Sequence, residues 1–177
     1  MDYRQLGRTD LNVSAIALVT MTWGEQNTQD EAFAQIEYAK NAGINFIDTA
    51  EMYPVPPKAE TYATTERYIG NWFKARGDRA DWILASKIAG PGNGIDYIRD
   101  GQLKHNRTHI VQALDASLKR LQTDWIDLYQ LHWPDRNVTL FGSNPTRYAE
   151  PPKAADEVPI EETLGVLDDL VRAGKIR

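Results

Sequence analysis

A chain of 177 residues is long enough for one domain with a buried core, and its net charge of −5 argues against a nucleic-acid partner, whose phosphates call for a basic face. With no cysteine there is no disulfide, no thiolate nucleophile and no Cys-based zinc site. No run approaches the roughly 20 apolar residues that span a bilayer, and the opening MDYRQLGRTD lacks a signal peptide's apolar stretch, so a cytoplasmic chain is expected and the Asn-x-Ser/Thr sequons at Asn106 and Asn137 imply no glycan.

Residues 2–13 read as two short strands around a turn at Gly7–Asp10. Val13–Val19 is a mostly apolar run bounded by Thr20, the pattern of a buried strand. Thr28-Gln29-Asp30-Glu31 has the form of a capping box; the helix it opens repeats apolar residues at Ala32, Ile36 and Ala39 and stops at Gly43. Ile44–Ile47 is the next strand. A proline-rich loop from Pro54 to Pro57 leads to a helix from Thr64 to Ala75, ending near Gly77. Trp82–Ser86 is a third strand, followed by a glycine-rich loop at 90–94. Residues 107–121 form an amphipathic helix with Ile110, Ala113, Leu114, Leu118 and Leu121 on one face. Trp125–Leu131 is a fourth strand. Residues 133–158 are rich in proline with little periodicity and read as a long loop. A last helix runs from Ile160 to Ala173, stopped by Gly174.

The order is a hairpin followed by four βα units, which implies a parallel sheet covered by helices. In such folds the carboxyl ends of the strands share one edge, and that edge holds the active site. The second strand ends at Asp48, with Tyr53 just beyond it; the third ends at Lys87 and the fourth at His132. Each residue alone has an ordinary structural reading: a turn cap, a half-buried phenol, a solvated cation, a hydrogen-bonded imidazole. Four at successive strand ends point instead to a cluster. A Tyr phenol ordinarily titrates near pH 10, and a nearby ammonium is expected to lower that value. Asp48 would hold Lys87, and His132 would orient a carbonyl oxygen. Together they describe a general acid acting on a carbonyl while hydride arrives from a reduced cofactor.

The stretches GINFIDTAEMY, ILASKI, SLKRLQTDWIDLYQLHWP and LVRAGKIR resemble the aldo-keto reductase superfamily, and AEMYPVPP resembles its Tas-like branch. The resemblance covers essentially the whole chain. It implies an α/β chain that is the N-terminal half of a (β/α)8 TIM barrel: a β-hairpin, four βα units, and a single domain over 1–177 truncated before strand 5. It implies an NADPH-dependent oxidoreductase acting on a small-molecule aldehyde or ketone. By motif position the catalytic residues fall on Asp48, Tyr53, Lys87 and His132. The cofactor contacts carry over to Thr20, Met21, Gln26 and Asp48, and substrate-pocket positions to Trp23 and Trp133. Val19 stands where the family has glycine, adding a branched side chain beside the cofactor.

Half a barrel leaves sheet edges and an inner face uncovered, so the chain is expected to be a piece of a longer protein, to pair with itself or a complementary half, or to be a remodelled half-barrel. A non-catalytic interaction module is therefore the alternative to an enzyme, since the family's fold also serves as a channel-associated subunit. A phosphate-substrate TIM enzyme has no support here, because the usual phosphate site follows strands seven and eight. His105 and His109 stand four apart without a carboxylate in zinc-ligand spacing, so no metal is expected.

Overall fold

Local sequence signals open and close the helices of the structure, a computed structural model that describes residues 1–92, 94–136, 138 and 155–177. The Asn137 sequon and most of the long loop expected over 133–158 lie outside the described residues. Helix α1, Gln29–Asn41, starts with the complete Thr28–Glu31 capping box, and Gly43 follows it at a positive φ of 81°. Helix α2, Thr64–Arg76, ends on Gly77 in the left-handed conformation. Helix α3, Arg107–Leu121, is capped by Asn106, whose side chain accepts from the His109 amide. Helix α4 covers Ile160–Arg172.

Strands β1 (Tyr3–Gln5) and β2 (Asn12–Ser14) form the antiparallel hairpin. Its Leu11 and Val13 pack with Ile83, closing the end of the sheet where the strands begin. Strands β3 (Leu18–Val19), β4 (Phe46–Asp48), β5 (Ile83–Ile88) and β6 (Leu128–Leu131) follow in sequential parallel order. Such an order needs a crossover helix between strands, which α1, α2 and α3 supply. The run Val13–Val19 is not one buried strand. Ser14 exchanges hydrogen bonds with Asn45 (2.8 and 3.2 Å), the chain turns, and only Leu18–Val19 pairs with β4. Val19 is 54% exposed, because it lies on the inner face of the sheet.

Pleat alternation divides the two faces. On the outer face Ile47, Leu84 and Ile88 pack with Ile36, Trp72, Leu114 and Leu121 of the helices in the main core; each such aliphatic chain contributes about 1.5–3 kcal/mol when fully buried. Helices α2 and α3 approach closely at Gly70, where a Cβ would lie 2.1 Å from the Arg120 carbonyl oxygen. Charges buried in this layer are matched: Glu66 accepts from Ser86 and from Arg120, both at 2.7 Å, and Asp127 pairs with Arg79 at 2.7 Å. The inner face carries Phe46, Asp48, Lys87, Leu128 and Gln130, all only partly buried. The far edge of the sheet is not wholly unpaired, as expected of a half-barrel. Ile176 bridges Ile126 in parallel, with the Arg177 amide donating to the Ile126 carbonyl at 3.1 Å. No helix among the described residues is long and apolar enough to cross a membrane.

Candidate active site

The carboxyl ends of β4, β5 and β6 bring Asp48, Tyr53, Lys87 and His132 together. Lys87 and Asp48 lie on the same face of paired strands, and Lys87 Nζ donates to Asp48 Oδ2 at 2.7 Å and to the Thr49 carbonyl at 2.8 Å. The ammonium is 3.5 Å from the Tyr53 hydroxyl and 4.9 Å from the centre of its ring. His132 meets Tyr53 edge to face, with ring centroids 5.6 Å apart. Its backbone amide donates to the Ile88 carbonyl at 3.0 Å, which extends the β5–β6 pairing to the imidazole.

The electrostatics differ from the sequence expectation at Tyr53. Burial raises the phenol's pKa above its ordinary value and the Asp48 carboxylate adds to the rise, so the net shift is upward even with the Lys87 ammonium nearby. The reason is geometric: the ammonium is spent on Asp48 and the Thr49 carbonyl, both closer than the phenol. Tyr53 therefore keeps its proton at neutral pH, the state a proton donor needs. His132 is lowered to about 4 by burial first and by Lys87 second, so its ring is neutral at pH 7 and offers one N–H donor.

Thr20 is buried, and both its amide and its hydroxyl donate to the Asp48 carbonyl, at 3.1 and 2.9 Å. Met21 is exposed, its carbonyl taken by the Val55 amide, and Gln26 sits exposed on the turn after β3. Trp133 reaches the cluster: its ring packs on His132 at 5.1 Å and its N–H donates to the Pro91 carbonyl at 2.7 Å. Gly90 is required beneath it, since a Cβ there would lie 2.7 Å from the indole. Trp23, expected at a pocket position, does not join the cluster. Trp23 is 1% exposed and packed in the main core, with its N–H donating to Gln35 at 2.8 Å.

Gln130 escaped the sequence reading. It lies opposite Lys87 in the register and donates to Asp48 Oδ1 at 3.3 Å, so both carboxylate oxygens are held. Its position two residues before His132, on the strand that leads to it, was the available signal. No group of three or more His, Asp or Glu that could hold a metal ion exists among the described residues.

The family profile described as the Aldo/keto reductase family matches residues 15–177. Protein tas of Escherichia coli is 47% identical over all of this chain, which covers 50% of that protein, and aldo-keto reductase YhdN of Bacillus subtilis is 35% identical over all of it, with 45% of that protein covered. An aldo-keto reductase structure from Bacillus halodurans superposes with a TM-score of 0.70 at 30% identity, over 100% of this chain and 48% of that one. The chain thus spans about half the length of these relatives. With a profile match over nearly its whole length, this chain belongs to the aldo/keto reductase family.

Proposed function

We propose that the chain carries the proton-donating machinery of an NADPH-dependent carbonyl reductase. The observation that carries this reading is the meeting of Lys87 Nζ with Asp48 at 2.7 Å and Tyr53 at 3.5 Å, with the His132 ring against the same phenol. Tyr53 donates its proton to the carbonyl oxygen of an aldehyde or ketone. Lys87, fixed by Asp48 and the Thr49 carbonyl, stabilises the phenolate that remains. Neutral His132 gives a hydrogen bond that orients the same oxygen, and Trp133 walls the site beside it.

A reduced nicotinamide, when bound, supplies the hydride. The residues present fit the nicotinamide end of such a cofactor. Val19 and Asp48 are register partners on the inner face, so an exposed aliphatic surface lies beside a carboxylate held at both oxygens. Thr20 fixes the backbone there, and Met21 and Gln26 stand exposed on the segment that follows. Titrating the purified chain with NADPH while following its five tryptophans tests this. Saturable quenching is expected; a linear, non-saturating response would overturn it.

A second reading, an interaction module that associates with itself or a complementary half-barrel, is favoured by a different observation. Tyr38 is exposed on the rim of a groove of about 330 Å³ lined by Leu18, Ala34, Ala39 and Ile44, and Ile16 and Val19 are exposed near β3. Leu164 and Val171 are exposed on α4. This reading predicts a stable oligomer in sedimentation velocity with no turnover; a monomer at all concentrations would remove it.

A further inference from the structure

Glu51 stands two residues before Tyr53, and its side chain is wholly buried. A buried carboxylate requires a partner. Here it is the Arg99 guanidinium, itself only 6% exposed, which ion-pairs with Glu51 Oε1. Arg99 also donates from Nη2 to the Ala89 carbonyl at 3.0 Å. From the other side, the Glu51 amide donates to the Lys87 carbonyl at 3.1 Å. One guanidinium therefore ties the segment running from Asp48 to Tyr53 to the segment leaving β5 after Lys87. These are the two stretches that carry the phenol and the ammonium.

The backbone supplies a second, independent observation. Arg99 and Asp100 both adopt the left-handed region, with φ of 46° and 54°, and Gly101 continues it at 74°. Side-chain-bearing residues rarely take this conformation, and two in succession persist only where surrounding contacts over-determine them. The contact that this turn delivers is the Arg99 guanidinium on Glu51.

We propose that Arg99 and Glu51 are positioning residues whose ion pair sets the placement of Tyr53 against Lys87, without touching substrate. The proposal rests on Tyr53 as the proton donor, but its test does not need turnover. Tyr53 is followed by NMR in protein labelled at the tyrosine Cζ carbons, with the Tyr53→Phe protein identifying its signal. The double variant Glu51→Gln/Arg99→Met removes both charges together, so neither is left buried alone. Arg99→Lys keeps the charge but loses the second arm to Ala89.

Burial and Asp48 hold the Tyr53 pKa up. The double variant is expected to let the ring out toward water, so that Tyr53 titrates lower, nearer an ordinary phenol, while the tyrosines far from the loop are unmoved. Arg99→Lys is expected to give a smaller shift in the same direction. Parent-like titration of Tyr53 in whichever variants fold overturns the proposal. So does loss of the fold in both, since the pair would then hold the domain rather than the loop. A parent chain that reduces no carbonyl would count against Tyr53 as the acid and leave this titration result standing.

Discussion

Asp48 is the hinge of the cluster, because one oxygen takes Lys87 and the other takes Gln130. Asp48→Asn would leave the Lys87 ammonium, 12% exposed, without its counter-charge. For a pair this well covered but not fully buried, the expected cost is about 1–3 kcal/mol in urea unfolding, with loss of any carbonyl reduction. An unchanged midpoint would show that the pair is solvated and interchangeable. His132 gives a pH signature. Its folded-state pKa is lowered from 6.5 to about 4, so between those values the unfolded chain binds the proton and the folded chain does not. Stability from this residue is fully present above pH 6.5 and is lost as pH falls toward 4. Partial exposure limits the loss to at most about 3 kcal/mol. His132→Gln should flatten that part of the stability curve relative to the parent; parallel curves would mean that the imidazole is not buried as described.

At the scale of elements, two substitutions separate packing from capping. Gly70→Ala places a methyl 2.1 Å from the Arg120 carbonyl oxygen and must push α2 from α3; overpacking of this kind costs about 1–3 kcal/mol or more. Thr28→Ala removes one exposed cap and should cost about 1 kcal/mol. An unchanged or raised thermal midpoint for Gly70→Ala would contradict the close helix approach at Gly70. The same elements show what the sequence made legible. Helix limits at Thr28, Gly43, Gly77 and Gly174 were readable because caps and left-handed stops are local chemistry. The placement of Lys87 and His132 near strand ends was readable because a polar side chain interrupts or ends an apolar run there, although β5 runs on to Ile88. Val13–Val19 was misread because its apolar residues serve two places, the hairpin core and the open inner face, and period alone does not separate them. The core position of Trp23 was not readable because only tertiary packing decides where its ring goes. The sign of the Tyr53 shift required knowing which partner Lys87 reaches first, and a sequence carries no such distances.

For the whole molecule, four parallel strands carry helices on one face, and among the described residues Val19 is exposed on the opposite face while Asp48, Lys87 and Gln130 there are only partly buried. In relatives twice as long, more chain is available to lie against this face. All four residues of the proposed site nevertheless sit on this half, placed by contacts internal to it. Carbonyl reduction by this chain is therefore expected to depend on Tyr53. The most direct measurement is NADPH oxidation, followed by absorbance, when the purified chain and its Tyr53→Phe variant are given a reactive aldehyde. We expect aldehyde-dependent oxidation that falls about 10²–10⁴-fold in the variant, the usual contribution of a general acid. Oxidation that is absent from the parent, or that survives the loss of the hydroxyl, would contradict it.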